Sequence, residues 1–252
     1  VAVYNGEAYF GGNFTTSDGS PFSWITKWNG ASFQSAGNLV GEVKAFAQAN
    51  GFLYAGGAIG LLGGTQIGIA SFDGTTWSPM GTRANSDITA IAISGSNLYV
   101  VGGIFLPGVS QGAQFGRFNG TSWTIAGQFG ISNMNAVTAI GDDVYIGGSF
   151  TGGYQNIAKW NGTSFVNFGT NGIGLTGGTS SSRTVSALAA DGNKLLVGGN
   201  FTLAGNVGAS NIASNLMGEW LAFSGTGLNS AARAIAVSGS DVYVGGSFVS
   251  AG

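Results

Sequence analysis

The side chains that most enzymes use for nucleophilic or metal chemistry are missing from this sequence. Its 252 residues include no His and no Cys. A nucleophile–His relay, a His-rich zinc site and a thiolate metal site are therefore impossible within this chain. Only carboxylate and lysine chemistry remain. From this inventory we predict a protein that is not an enzyme and that binds no metal and no cofactor.

Asp142 and Asp143 are the only adjacent pair of acidic residues. Two neighbouring carboxylates could contribute to a calcium site or to acid–base catalysis. In the repeat described below, however, this pair falls in a hairpin turn where other copies carry Ser-Gly-Ser or Asn-Gly. Turn geometry accounts for the pair, and we nominate no catalytic residue.

Three cations share one position of the repeat, directly before an aromatic residue. They are Lys27, Arg117 and Lys159, and we align Ser71 and Asn215 with them. One interpretation is a set of cations that the repeat presents to a ligand. The other is a solvent-facing strand position, where the long side chains cover neighbouring aromatic surface. The three cations are candidate ligand-binding residues under the first interpretation.

The fourth candidate ligand-binding residue is Trp24, which lies outside the repeated aromatic positions. We expect its ring to be the most exposed of the Trp side chains. The repeated Trp and Phe residues have two interpretations: they stack on sugars, once per repeat, or they pack in the core. Buried aromatic side chains dominate the energetics of packed interfaces, which favours the core.

A repeat of about 45 residues must position all of these side chains. A hydrophobic run that ends in a Gly pair occurs six times, at steps of 45, 46, 45, 51 and 47 residues. The pairs are Gly11–Gly12, Gly56–Gly57, Gly102–Gly103, Gly147–Gly148, Gly198–Gly199 and Gly245–Gly246. A fixed period of this length is typical of solenoids and propellers. Each pair is expected at a β-bulge or a close backbone approach, where there is no room for a Cβ.

Each repeat reads as two hairpins, and so as four short strands. Asn5-Gly6 and Asn50-Gly51 mark the turn of the first hairpin in two copies, because a type I′ turn requires positive φ at both central residues. A second hairpin follows in segments such as ITKWNGASF, residues 25–33. A two-residue turn there would place Trp28 opposite Ala31 and diagonal to Phe33. Four strands in about 45 residues predict an all-β fold, a β-propeller of four-stranded antiparallel blades.

The repeat resembles known propeller families. A hydrophobic run, a Gly pair and then a Trp about 15 residues later resemble the kelch motif of the galactose-oxidase-like propellers. The segments DGNKLLVGGNF (residues 191–201) and VYVGGSF (residues 242–248) are similar to the delta-60 repeats of bacterial surface proteins and to repeats of fungal cell-polarity proteins. The resemblance implies the propeller fold. Galactose oxidase holds copper with His and Tyr ligands, so its activity does not carry over to a chain without His.

We predict a single propeller domain over residues 1–252, with five full blades and one partial blade. The predicted repeats are 1–42, 43–87, 88–135, 136–184 and 185–232, with a partial repeat at 233–252. Three arrangements stay open. Residues outside this sequence complete a sixth blade, or the chain is part of a ring of seven or eight blades. Alternatively, five blades close and the spare hairpin pairs with a neighbouring molecule.

Composition limits the partners and the location. Ten acidic and eight basic residues are spread without runs, so no cationic patch for nucleic acid is predicted. No apolar stretch approaches the roughly 20 residues of a membrane-spanning helix. The low charge and abundant Gly, Ser, Thr and Asn favour an extracellular or cell-envelope protein. We expect a structural or protein-binding scaffold at the cell surface. The alternatives are a glycan-binding lectin, and an assembly subunit that pairs through unpaired edge strands.

Overall fold

The computed structural model describes residues 1–15, 19, 24–81, 86–105, 113–126, 133–150, 154–168, 175–176, 183–223 and 225–252. Within these ranges the chain forms strands and turns, so none of the described segments is a helix long and apolar enough to cross a membrane. The chain divides into two compact units, Val1–Ile125 and Ala126–Gly252. Each unit is described by itself, and the predicted single domain over residues 1–252 stays a prediction.

Three four-stranded antiparallel sheets build the first unit, and we call them blades 1, 2 and 3. Neighbouring strands in each sheet are consecutive in the chain, as expected for successive hairpins. Blade 1 consists of β1 (Ala2–Tyr4), β2 (Glu7–Gly11), β3 (Ile25–Trp28) and β4 (Phe33–Ser35). Blade 2 consists of β5 (Leu39–Ala49), β6 (Phe52–Leu61), β7 (Ile69–Phe72) and β8 (Trp77–Pro79). Blade 3 consists of β9 (Asp87–Ser94), β10 (Asn97–Ile104), β11 (Ala113–Phe118) and β12 (Trp123–Ile125).

The second unit contains two further four-stranded sheets, blades 4 and 5, and two smaller sheets. Blade 4 consists of β13 (Met134–Ile140), β14 (Asp143–Gly148), β15 (Ile157–Trp160) and β16 (Phe165–Asn167). Blade 5 consists of β18 (Thr184–Asp191), β19 (Lys194–Asn200), β22 (Ile212–Leu216) and β23 (Glu219–Ala222). A small sheet joins β17 (Leu175–Thr176), β20 (Leu203–Ala204) and β21 (Val207–Gly208), and a two-stranded sheet joins β24 (Ala232–Ser238) and β25 (Asp241–Gly246). Five full blades and one partial blade confirm the predicted count for this chain.

The first hairpin of each blade has a two-residue turn of one of two kinds. Asn5 and Gly6 both have positive φ, at 50° and 78°, as a type I′ turn requires. Other blades place a single glycine of positive φ first in the turn, as Gly141 does at 58° before Asp142. That is the φ pattern of a type II′ turn. Asp142 is exposed in this turn, where the sequence predicted the acidic pair to lie.

The second hairpin differs from the prediction in blades 1 to 4. Trp28 lies directly opposite Phe33, and not opposite Ala31, so the loop has four residues rather than two. The cause is the Asn29 side chain, whose Oδ1 accepts hydrogen bonds from the backbone N–H groups of Ala31 and Ser32. Asp73, Asn119 and Asn161 form the same two bonds in their own loops. An Asx side chain that captures backbone donors in this way builds a wider turn than the Asn-Gly sequence alone suggests.

The Gly pairs are required by two different neighbours. A Cβ at Gly56 would lie 2.8 Å from the side chain of Ile88 in blade 3. A Cβ at Gly57 would lie 2.0 Å from the carbonyl oxygen of Glu42, across a bulge in blade 2. The predicted close approach and the predicted bulge are both confirmed. In blades 2, 4 and 5 the first glycine leaves room for a side chain of the following sheet, and the second leaves room for the bulge.

Hydrophobic clusters between consecutive blades form the core of each unit. In the first unit, Tyr4 and Tyr9 of blade 1 share a cluster with Leu53, Phe72 and Trp77 of blade 2. Another cluster joins blades 2 and 3. In the second unit, one cluster includes residues of both blade 4 and blade 5. Faces of neighbouring sheets are therefore buried against each other, and the side chains at these faces decide whether an interface is filled or open.

Candidate functional site between blades 4 and 5

A cleft of about 470 Å³ opens between blades 4 and 5. This volume lies within the roughly 300–1,000 Å³ typical of small-molecule sites. Blade 4 and the residue after it supply seven lining residues, and blade 5 supplies five. They are Ile140, Asp143, Tyr145, Lys159, Val166, Asn167 and Phe168 from blade 4, and Asn193, Leu195, Asn215, Met217 and Gly218 from blade 5. We call this site the blade 4/5 cleft.

Asn215 is the residue by which the lining of this cleft departs from the repeat. In the register of blade 5, Asn215 pairs with Leu195. In the other four-stranded blades, the residue at the position of Asn215 is aromatic. Those residues are Trp28, Phe72, Phe118 and Trp160, paired with Ala8, Leu53, Leu98 and Val144. The sequence alignment of Asn215 with the cations was therefore wrong by one residue. Ser214, opposite Leu196, is the true counterpart of Lys27 and Lys159.

The side-chain amide of Asn215 is only half satisfied. The residue is 2% exposed, and its Oδ1 accepts a hydrogen bond of 2.8 Å from the backbone N–H of Gly218. That bond fixes which end of the amide is oxygen. The Nδ2 group is buried and, among the described residues, finds no acceptor. A buried donor without a partner costs on the order of 1–3 kcal/mol, so such groups require an explanation.

Aromatic side chains from blade 4 form one wall of the cleft. Tyr145 and Phe168 are both buried, and their rings pack edge-on with centroids 4.9 Å apart. Phe168 also contacts Trp220 of blade 5 at 5.6 Å. Burial raises the pKa of the Tyr145 hydroxyl, and the nearby Asp143 carboxylate raises it further. The hydroxyl therefore keeps its proton at neutral pH and can donate a hydrogen bond.

An ion pair supplies the charged part of the lining. Lys159 Nζ lies 2.7 Å from Asp143 Oδ2, and both side chains are about one-third exposed. The two charges cancel, so the site is polar without a net charge. Lys159 is one of the predicted ligand-binding residues and lies in the cleft. Asp143 belongs to the acidic pair that the sequence assigned to a turn.

The other two predicted cations lie in separate blades of the first unit. Lys27 pairs with Glu7 at 2.8 Å, and the hydrogen bond that Lys27 donates to the Glu7 carboxylate raises the pKa of Lys27. Arg117 donates from Nε to Asn97 Oδ1 at 2.9 Å. Each cation is thus bound to a residue at the start of the second strand of its own blade. Both lie on half-buried strand positions, and the structure does not bring them together with Lys159.

Trp24 is half-buried and has an unusual backbone. Its φ of 71° lies in the left-handed region, which bulky side chains rarely adopt. Its carbonyl oxygen accepts a hydrogen bond from Gly12 N–H. At the same place in blades 2, 4 and 5 stand Gly68, Asn156 and Asn211, also with positive φ. Trp24 thus occupies a position that normally holds Gly or Asn.

A second cleft lies at the equivalent place between blades 2 and 3. Its volume is about 560 Å³. Ten of the described residues line it: Asn50, Phe52, Tyr54, Ser71, Pro79, Met80, Gly81, Phe118, Gly120 and Thr121. Phe118 is the aromatic residue whose place Asn215 takes in blade 5. None of these ten residues is charged, so the blade 2/3 cleft is the uncharged counterpart of the blade 4/5 cleft.

Several of the described carboxylates outside the cleft are held in ion pairs or in a turn. Glu42 and Asp87 both lie near Lys44, and Asp191 pairs with Lys194. The Thr75 hydroxyl and nearby backbone N–H groups lower the pKa of Asp73 to about 2. In the part of the chain that the structure describes, no three acidic side chains gather as metal ligands would.

Comparison with solved structures identifies the fold class. The extracellular domain of the one-component system protein BT4673 from B. thetaiotaomicron superposes with a TM-score of 0.56 at 16% identity, over 88% of this chain and 28% of that one. YCF48 from Cyanidioschyzon merolae gives a TM-score of 0.46 at 15% identity, over 84% of this chain and 65% of that one. The first likeness, together with the stacked four-stranded sheets, defines a β-propeller.

No protein-family model matches the chain, and no curated protein matches it. The likeness to solved structures is too distant in sequence to show more than the fold. The resemblance to kelch-like and delta-60-like repeats therefore stays a prediction.

Proposed function

We propose that the chain is a non-enzymatic binding propeller of a secreted or cell-surface protein, which holds its ligand between consecutive blades. The observation that carries this proposal is the blade 4/5 cleft, where one blade departs from the repeat and leaves an open, half-polar site. Binding sites of propeller folds vary while the blades stay constant, because function resides in particular side chains and not in the fold.

The lining of the cleft favours binding over catalysis. Asp143 is paired with Lys159, so the one carboxylate in the cleft is not poised as a free general base. Glycoside hydrolysis typically needs two carboxyl groups in distinct roles across the substrate. The cleft has one such group, and its other polar side chains are amides and a tyrosine hydroxyl. These groups orient a ligand and do not react with it.

The proposed location rests on surface chemistry. The chain has few charges and is rich in Gly, Ser, Thr and Asn, which suits an extracellular setting. The neighbour from B. thetaiotaomicron is itself an extracellular domain. Membership of a kelch-like or delta-60-like family is part of the same proposal, since those repeats occur in surface proteins. Recovery of the native protein in the cytosolic fraction would contradict this location.

A test of the non-enzymatic character compares turnover with binding on the same protein. The full chain is assayed against a broad panel of glycosidase, esterase and peptidase substrates, beside its Asp143→Asn variant. The proposal expects no turnover by either protein. Turnover that the wild type shows and Asp143→Asn abolishes would establish an enzyme and overturn the proposal.

A further inference from the structure

The blade 4/5 cleft carries an inference about the class of ligand, and this inference rests on the proposed function. Three properties of the lining restrict the ligand: an unpaired donor at Asn215, a neutral ion pair, and an aromatic wall. Each of them excludes some classes of molecule.

The Asn215 amide requires an acceptor. Its Oδ1 is used by Gly218, and its Nδ2 finds no acceptor among the described residues. Asn215 lines the cleft, so an acceptor atom on a ligand can satisfy the donor once a small shift of the side chain uncovers Nδ2. A ligand with an acceptor would recover the cost of this unpaired donor, on the order of 1–3 kcal/mol, whereas a purely apolar ligand would not. A hydrocarbon or lipid chain is therefore disfavoured.

The charges in the cleft favour a neutral ligand. Lys159 and Asp143 lie 2.7 Å apart and cancel each other, so an anion or a cation finds no uncompensated partner. An anionic ligand would compete with Asp143 for Lys159 and leave the carboxylate without its partner. A neutral ligand with both donors and acceptors can bond to both members of the pair without separating them. Hydroxyl groups meet this requirement, since each donates one hydrogen bond and accepts others.

The aromatic wall favours a ligand that also has an apolar face. Tyr145 and Phe168 line the cleft beside the polar groups, and their rings pack edge-on against each other. We propose that the blade 4/5 cleft binds a neutral saccharide, whose oxygens bond to Asn215, Lys159 and Asp143 and whose C–H face lies against the aromatic wall. A sugar ring has hydroxyl groups at its edge and apolar C–H faces. It can therefore contact both the polar and the aromatic side chains of this lining.

The chain itself contains a matched control. Lys27 and Lys159 occupy one repeat position, and each pairs with an acidic residue at 2.7–2.8 Å. At the interface of blades 1 and 2, however, the space over Tyr9 is occupied by Phe72, whose ring centroid lies 6.0 Å from that of Tyr9. Lys27→Ala therefore removes the same kind of ion pair as Lys159→Ala, at an interface that an aromatic side chain fills.

The experiment is isothermal titration of the full chain with neutral cello-, xylo-, malto- and chito-oligosaccharides. We expect saturable binding of at least one of them. Lys159→Ala should weaken it by about tenfold or more, the usual effect of losing one charge-assisted hydrogen bond, whereas Lys27→Ala should leave it unchanged. Asn215→Phe should abolish it by restoring the aromatic residue of the other blades.

A second variant tests whether Asn215→Phe loses binding only because the new ring is too large for its surroundings or because the protein misfolds. In the first unit, Phe72 of blade 2 faces blade 1, where Ala36 stands in the place of Phe168. The double variant Asn215→Phe/Phe168→Ala reproduces the combination of Phe72 and Ala36 at the interface of blades 4 and 5. It should fold without the cleft. Its circular dichroism and thermal melt establish folding, and its titration should show no sugar binding.

The outcomes separate this inference from the proposed function. Absence of saccharide binding, or binding that both Asn215 variants retain, would overturn the saccharide site. If a peptide array instead shows binding that Asn215→Phe abolishes, the saccharide class is wrong and the binding propeller stands. Detection of catalytic turnover would overturn the proposed function itself.

Discussion

Blades 1 and 2 meet through a filled interface, whereas blades 4 and 5 meet through an open one. At the first, Phe72 contacts Tyr4 and Tyr9 at 6.0 Å and stacks on Trp77 at 4.8 Å. At the second, Asn215 stands in the place of Phe72, and the cleft opens over Tyr145.

The two interfaces differ by more than the absence of one aromatic ring. Where blade 1 has Ala36, whose carbonyl oxygen accepts a hydrogen bond from Trp77 Nε1 at 2.7 Å, blade 4 has Phe168 in contact with Trp220. The interface thus keeps an aromatic residue but takes it from the other blade. The same repeat geometry therefore holds a packed aromatic residue at one interface and a buried amide beside a cleft at the other.

The largest expected effect comes from converting the filled interface into the open type. Phe72→Asn should lower the free energy of unfolding by about 3–5 kcal/mol, since it removes a buried ring and buries a polar group. Phe72→Leu, which keeps the position apolar, should cost clearly less. Chemical denaturation of the full chain measures both variants. A loss below about 1 kcal/mol for Phe72→Asn would show that this ring does not hold the interface together.

A second contrast concerns the residue before the third strand, Trp24 in blade 1 and Asn156 in blade 4. Asn156 has a φ of 70°, accepts a hydrogen bond from Phe150 N–H and donates one to the carbonyl oxygen of Leu175. Asn156→Ala should cost about 2–4 kcal/mol, through backbone strain and two lost hydrogen bonds. Asn156→Gly relieves the strain and should cost less. Equal losses for the two variants, measured by denaturation, would contradict a role for the left-handed backbone.

Closing the open interface should have a smaller effect of opposite sign. Asn215→Phe/Phe168→Ala removes the unpaired Nδ2 donor and restores the arrangement of blades 1 and 2. We expect the free energy of unfolding to rise by about 1 kcal/mol, the lower end of the cost of a buried unpaired donor. The measurement is the shift of the denaturation midpoint relative to the wild type. A lower midpoint would indicate that Asn215 is there for stability and not for a ligand.

The smallest effect is expected from the tyrosines at high pH. Burial raises the pKa of both Tyr9 and Tyr145 above the ordinary value of 10.0. Asp143 adds to the shift at Tyr145, whereas at Tyr9 the Lys27 charge opposes the shift and Glu7 and Tyr4 add to it. The resulting stabilisation is fully present below pH 10 and is lost as the pH rises through the raised pKa. Tyr145→Phe and Tyr9→Phe should therefore each flatten the alkaline loss of stability. Denaturation curves between pH 8 and pH 12 test this, and an alkaline loss unchanged in both variants would contradict it.

The periodic features of the fold could be predicted from the sequence, whereas the site could not. Strand positions, hairpins and the Gly pairs follow from local patterns that recur in each repeat. The four-residue loops were missed because an Asx side chain that captures Ala31 and Ser32 N–H groups widens the turn.

The polar lining of the cleft escaped prediction because Asn215 is a break in the repeat. Asn215 had been aligned with the cations, one residue from its true place opposite Leu195. A polar residue in a column of Trp and Phe was the available signal. Its burial and its unpaired Nδ2 depend on the packing of two blades, which no local pattern encodes. Of the predicted ligand-binding residues, Lys159 is the one that lines the blade 4/5 cleft.

The most direct test of this account is a crystal structure of the full chain with the tightest-binding neutral oligosaccharide of the titration panel. The account predicts a sugar ring in the blade 4/5 cleft, with one of its oxygens within about 3.2 Å of Asn215 Nδ2, the ordinary length of such a hydrogen bond. A sugar bound elsewhere, with the cleft empty and Asn215 Nδ2 still unpaired, would contradict it.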